Sequence, residues 1–384
     1  MSIQPQTLNQ SAFGEVMCAE VSGVIQLQFP YNLNPELVLP SVTGSGTVTS
    51  SPPFALISVP ASASSSGSFQ SLNKLHYRPG QGAVVLFTSV FNSGIANSKQ
   101  YVGAGNSLNG FFFGWNGSTF GILYRNNAVD TWIYQASWNQ DPFNGTGESG
   151  VTLDPTKGNV YKIQFQWLGF GAINFFIENG NTGQFTLVHQ IQYTNANVNT
   201  SLTNPTLPLL AWAESTGAAS LVQLKVPSMA AMIEGVVFND NSRYAVVGAR
   251  SIQANVTTLV LTILNNLTYN GNPNSKVVQP NFISMANTGT NNVIYTYMLN
   301  PSVSATFFPV NTSTGSSITS FAVGSSVSTV GRTILTQYIG ANSYDNVFID
   351  FINLNLNPGD TLGVTALSST TATVSVSFSW VEQF

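Results

Sequence analysis

The sequence predicts an all-β protein: two tandem antiparallel β-sandwiches, jelly-roll-like in form, joined by a short connector. Three observations carry that expectation. Apolar, β-branched and aromatic residues recur in short runs, several of them alternating with polar residues. Gly, Pro and Asn turn signals close these runs at short spacing. Helical periodicity is scarce, with one short candidate at residues 227–235 (PSMAAMIEG).

The elements follow in order. Residues 20–29 form a strand-like run that pairs into the first sandwich or reaches a neighbour. Residues 43–53 and 61–71 are rich in Ser, Thr and Gly and read as exposed loops or linkers. Residues 82–91 (GAVVLFTSVF) are a strand. Residues 161–167 (YKIQFQW) alternate cleanly, with Tyr161, Ile163, Phe165 and Trp167 on one side, as a half-buried strand requires. Residues 172–178 and 184–191 flank the turn 179–183 (NGNTG) as a hairpin. In the second half, 257–264, 292–298, 333–338 and 361–367 read as strands, the last following the turn 357–360 (NPGD). Residues 372–381 alternate strictly and place Val374, Val376, Phe378 and Trp380 on one face. The expected organisation is an N-terminal arm with first strands over 1–70, joining the first domain. A sandwich over 71–226, a connector over 227–234 with one helical turn, and a second sandwich over 235–384 follow.

Composition removes several functions. Of 384 residues only 7% are charged, against about 25% in an ordinary soluble protein. Eleven basic residues spread thinly leave no electrostatic footprint for nucleic acid. The 43% hydrophobic share is ample for a large core. His76, His189 and Cys18 cannot form a recognisable structural zinc cluster, and one cysteine allows no internal disulfide. No apolar run is long enough for a membrane-spanning helix. Met1–Pro5 shows neither a basic nor an apolar leader region, so no secretory signal is expected. Sequons at Asn9, Asn116, Asn144, Asn199, Asn255, Asn266 and Asn311 are what chance yields in a chain so rich in Asn, Ser and Thr.

Chemistry-bearing patterns are thin. A glycosidase needs two carboxylates across one groove. Asp130, Asp141, Glu148, Asp154, Glu178 and Glu214 are scattered, and no two alternate on one strand. No G-x-S-x-G elbow accompanies the histidines. Residues 103–107 (GAGNS) lack the Gly-Lys-Ser/Thr of a phosphate loop and read as an ordinary loop. Asp130, Asp141 and Asp154, set in loops with Asn neighbours, suit Ca²⁺ by ligand type but lack EF-hand spacing. No cofactor and no catalytic residue is expected, and the chain reads as no enzyme. The real excess is aromatic. Residues 111–117 (FFFGWNG) and 132–139 (WIYQASWN) read chiefly as core, with Trp115, Trp132 and Trp138 as candidate glycan or receptor contacts. Trp138 is expected to be the most exposed of these rings.

Residues 75–91 (LHYRPGQGAVVLFTSVF) resemble a recurring pattern in virion structural proteins of tailed bacteriophages and large DNA viruses. Residues 112–123, 158–169, 188–197, 203–209, 356–362 and 379–382 are similar to further blocks of that family, so the likeness runs in order through most of 70–384. The resemblance implies a concanavalin-like or jelly-roll fold and contributes no catalytic residue. The N-terminal seventy residues match least and are expected to encode attachment to a particular virion.

The expected function is a virion structural protein: a head decoration, fibre or capsid-vertex component that contributes to host-surface attachment. Its expected partners are other virion proteins at the capsid or fibre base, further copies of itself with a trimer as the usual fibre symmetry, and a host-surface glycan. The alternative is a lectin-like carbohydrate-binding module outside a virion. Low charge suits contacts resting on apolar area and backbone pairing, which salt barely affects.

Overall fold

The structure, a computed structural model, describes residues 21–61, 64–235, 242–310, 317–348 and 354–383. Cys18 and the sequons at Asn9 and Asn311 lie outside the described residues. The chain divides into two compact units, Met1–Val237 and Phe238–Phe384, each built from antiparallel sheets.

In the first unit, Ala83–Phe91 is the hub of a nine-stranded sheet. One of its edges pairs with Asn159–Phe165, which continues through Ile173–Asn179 to Gln184–Ile191. Its other edge is shared. Val222–Val226 takes the Phe91 end and leads to Phe54–Val59 and Thr47–Ser51. Ser228–Glu234 takes the Ala83 end and carries Val21–Gln28 outside it. The expected connector with a helical turn over 227–234 is therefore a strand of the first unit. Met229, Ala231 and Ile233 alternate into the core, and that period of two outweighs the helix propensity of Ala and Met.

The facing seven-stranded sheet runs Val129–Tyr134, Thr119–Asn126, Gly110–Asn116, Ser98–Gly105, Leu207–Ser215, Ser65–Leu75, Val38–Thr43. Three loop expectations are corrected here. Ser65–Leu75 is a central strand, with Ser65, Ser66, Ser68 and Ser71 buried. Small residues suit that site: a Cβ on Gly67 would lie 2.7 Å from Ile57 Cγ2 and 3.1 Å from the Thr47 carbonyl. Thr47–Ser51 is a strand within the expected 43–53 loop. Gly103 to Gly105 belong to Ser98–Gly105, and the turn begins after them.

Aromatic rings fill the space between these sheets. Phe87 stacks on Tyr161 at 5.2 Å, and Phe113 lies 4.9 Å from Tyr161 and 5.6 Å from Phe175. Rings this close contribute beyond the area they bury.

The second unit pairs Ser242–Ile252, Ala372–Gln383, Val277–Asn287 and Ser343–Phe348 in a four-stranded sheet. A second sheet contains Thr319–Thr329, Thr258–Asn265, Thr361–Ser368, Val293–Leu299 and Arg332–Ile339 in that order, with short strands at the Thr319–Thr329 edge. Val374, Val376, Phe378 and Trp380 are all buried, as their alternation requires. Glu382 continues that face into the interior. Its carboxylate accepts from the Ser317 hydroxyl (2.6 Å), the Ile318 amide (3.0 Å), the Thr319 hydroxyl (2.8 Å) and Trp380 Nε1 (3.2 Å). Among the described residues no helix is long and apolar enough to cross a membrane.

Candidate functional site

The site lies on the outward face of the first unit's seven-stranded sheet. Alternation sends Val102, Phe111, Phe113, Ile122 and Ala211 into the core and their neighbours outward. Pairing then aligns the outward residues in rows. One row runs Ser68, Trp212, Tyr101, Gly114, Gly121, Tyr134. The next runs Gln70, Leu210, Gly103, Phe112, Leu123, Trp132. Tyr101, Phe112, Leu123 and Leu210 form a second, small buried cluster on this face, with half-buried Trp132 and Trp212 packed against it. Trp212 lies parallel to Tyr101, 6.1 Å between centroids.

Gly114 and Gly121 carry no side chain on this face, and both are buried. A Cβ on Gly114 would stand 2.0 Å from the Gln100 carbonyl oxygen and 2.7 Å from Tyr101 Cα. One on Gly121 would stand 2.5 Å from the Ile133 carbonyl. Trp212 and Trp132 sit on strands four spacings apart, about 19 Å along the sheet, with these glycines between them in the Trp212 row.

Two ion pairs border the rings. Arg125 holds Asp130 in a two-point contact, Nε to Oδ1 at 2.6 Å and Nη2 to Oδ2 at 3.0 Å. Its guanidinium also lies over Tyr101 and Phe112, 5.4 and 5.7 Å from the ring centroids. Burial works against the Arg125 charge, but the Asp130 carboxylate and the Tyr101 hydroxyl outweigh it and hold the guanidinium charged. Lys99 pairs with Glu214 at 3.1 Å, and Glu214 also accepts from Trp212 Nε1 at 3.1 Å. Burial pushes the Tyr101 hydroxyl up to about 12; Arg125 opposes the shift, while Glu214 and Asp130 add to it. The face thus joins half-buried rings and two self-neutralised charge pairs, a set that can stack on a ring and exchange hydrogen bonds with hydroxyls.

The three tryptophans expected as contacts separate. Trp132 lies on this face. Trp138 is the reverse of the most exposed ring: it is 6% exposed, edge-on to Phe113 and Phe120, with Nε1 donating to the Ile133 carbonyl. The turn Gln135–Ser137 shifts the alternation that began at Trp132 and sends Trp138 inward. Trp115 packs at the core edge, 5.3 Å from Phe120. Trp212, Tyr101, Arg125 and Lys99 were not expected at a site. The signal for Trp212 was the alternation in 207–215 (LPLLAWAES), which puts Trp212 and Glu214 on one face.

Of the acids read as loop residues, Asp141 and Asp154 lie in loops and Asp130 does not. Asp130 is in a strand, not a loop. Asp141 is buried and accepts from the Phe143 and Ser149 amides at 2.9 and 2.7 Å, bracing its own loop. Asp154 accepts from the Thr156 amide and hydroxyl. Among the described residues no three His, Cys, Asp or Glu converge as a metal site.

No protein-family model matches the chain, and no curated protein matches it. Among solved structures it is similar to a glycoside hydrolase family protein from Mycobacterium thermorestibile (9% identity, TM-score 0.38, covering 54% of this chain and 99% of that one). It is similar also to a Bacillus licheniformis β-glucanase (10% identity, TM-score 0.35, covering 56% and 99%). A third is the CBM2 module of the evolved Dit of Lactobacillus casei BL23 phage J-1 (10% identity, TM-score 0.38, covering 57% and 99%). The expectation that the chain is no enzyme is withdrawn. It rested on scattered acids and missing motifs, which exclude no activity. No two acids share a face within one strand, and pairing sets Glu214 and Asp130 on one face of one sheet but on strands four spacings apart.

Proposed function

We propose that the chain is a virion structural protein whose first unit binds a host-surface glycan on the outward face of the seven-stranded sheet. The observation that carries the glycan reading is the pair of half-buried rings, Trp132 and Trp212, set across a glycine strip and bordered by Arg125–Asp130 and Lys99–Glu214. A sugar offers C–H faces to such rings and hydroxyls to such polar groups. The virion reading rests on the resemblance across 70–384 and on the low charge. Self-association, with a trimer as the fibre symmetry, belongs to the same proposal.

The test is binding of the purified full chain to a glycan array. Trp132→Ala with Trp212→Ala weakens binding about tenfold or more, and Trp115→Ala does not. Absence of glycan binding removes the proposal for this face. Mass spectrometry of purified virions tests the particle assignment, and sedimentation tests the oligomer.

A further inference from the structure

The second unit has a concavity of its own, about 420 Å³ in volume. Its floor is set by register. Val293–Leu299 lies between Arg332–Ile339 and Thr361–Ser368, and pairing puts Tyr338 and Leu367 on either side of Ile294. Val293 and Tyr295 point into the core, so Ile294 and its two neighbours face outward. Tyr338 is 69% exposed, with no ring partner among the described residues.

Three turns make the rim, and they brace one another. The Asn255 amide donates to the Ser368 carbonyl at 2.8 Å, the Ser368 hydroxyl to the Asn292 carbonyl at 3.0 Å, and Asn291 Nδ2 to the Thr370 hydroxyl at 3.2 Å. Asn255 stands at φ 59°, a left-handed position that Asn tolerates and that fixes the turn. These bonds use main-chain groups and the side chains of Asn291, Ser368 and Thr370. The side chains of Asn255, Thr290, Asn292 and Ser369 line the concavity with no bond to another described residue. No charged side chain lines it.

This chemistry selects among ligands. A wholly apolar ligand would strip water from the rim amides and hydroxyls without replacing those bonds. An anion would meet no cation. A neutral sugar residue offers a C–H face to Tyr338 and an aliphatic floor, and hydroxyls that donate to and accept from amides. The volume falls within the range of small-molecule sites. We infer that this concavity of the second unit binds one residue of a neutral saccharide, independently of the aromatic face in the first unit.

The test uses the full chain carrying Trp132→Ala and Trp212→Ala, so that the first unit's face is disabled. Saturation-transfer NMR is recorded with glucose, galactose, rhamnose and N-acetylglucosamine as separate probes. The inference expects transfer to the ring protons of at least one probe. Adding Tyr338→Ala or Asn292→Ala weakens that binding about tenfold, with an unchanged melting temperature because both side chains are exposed. Sialic acid does not compete. Absence of transfer to all four probes overturns the inference, as does transfer that survives both added substitutions at full strength.

Discussion

Replacing Trp138 by alanine separates a core ring from a surface ring. Trp138 is 6% exposed; its ring meets Phe113 at 6.0 Å and Phe120 at 6.4 Å, and Nε1 donates to the Ile133 carbonyl at 3.3 Å. Phe113 in turn touches Tyr161 and Phe175, so the loss opens a cavity inside a ring network. Truncating a buried Trp costs about 3–5 kcal/mol. In a unit of this size each kcal/mol lowers the melting point by about 2–4 °C, so the first unit's transition falls by about 6–20 °C. Differential scanning calorimetry of the full chain reads this directly, with the second unit's transition as internal control. Trp132→Ala, made at a half-buried ring, shifts the transition less. A fall below about 3 °C for Trp138→Ala would show that the ring does not fill the core as described.

Three further outcomes follow from named contacts. Gly114→Ala drives a Cβ against the Gln100 carbonyl and Tyr101, and the denaturant midpoint falls by the equivalent of about 1–3 kcal/mol; an unchanged midpoint contradicts the close approach. Glu382→Ala strands the donors of Ser317, Ile318, Thr319 and Trp380 and costs about 3 kcal/mol or more, read as a lowered second-unit transition. Burial pulls the His189 pKa below its unfolded value of 6.5, so the unfolded chain binds the proton first. The neutral imidazole's contribution is therefore complete above pH 6.5 and is lost as pH falls through 6.5 toward the lowered folded value. His189→Gln flattens the stability profile in that window, and an equally steep profile in the variant would contradict the assignment.

Strands whose alternation is carried by large apolar residues were legible. Residues 184–191 coincide with Gln184–Ile191, and 82–91, 292–298 and 361–367 fall within a residue of Ala83–Phe91, Val293–Leu299 and Thr361–Ser368. Ser65–Leu75 was not legible, because most of its buried side chains are serines whose composition is that of a loop and whose burial comes from the strands on both sides. Ser228–Glu234 was missed because Met and Ala favour a helix until Ala83–Phe91 offers an edge. The aromatic face was legible only in Trp132. Its other members come from the meander Ser98–Gly105, Gly110–Asn116 and Thr119–Asn126, and from Leu207–Ser215, which joins it across a long stretch of chain that no local spacing encodes.

The most direct test of the glycan-binding face is a comparison of two purified full-length proteins on one glycan array, the unaltered chain and the Trp132→Ala/Trp212→Ala variant. The account predicts that the unaltered chain binds a defined set of glycans and that the variant loses about tenfold or more in affinity for them while keeping its melting temperature within a few degrees. Equal binding by the two proteins, or none by the unaltered chain, would contradict it.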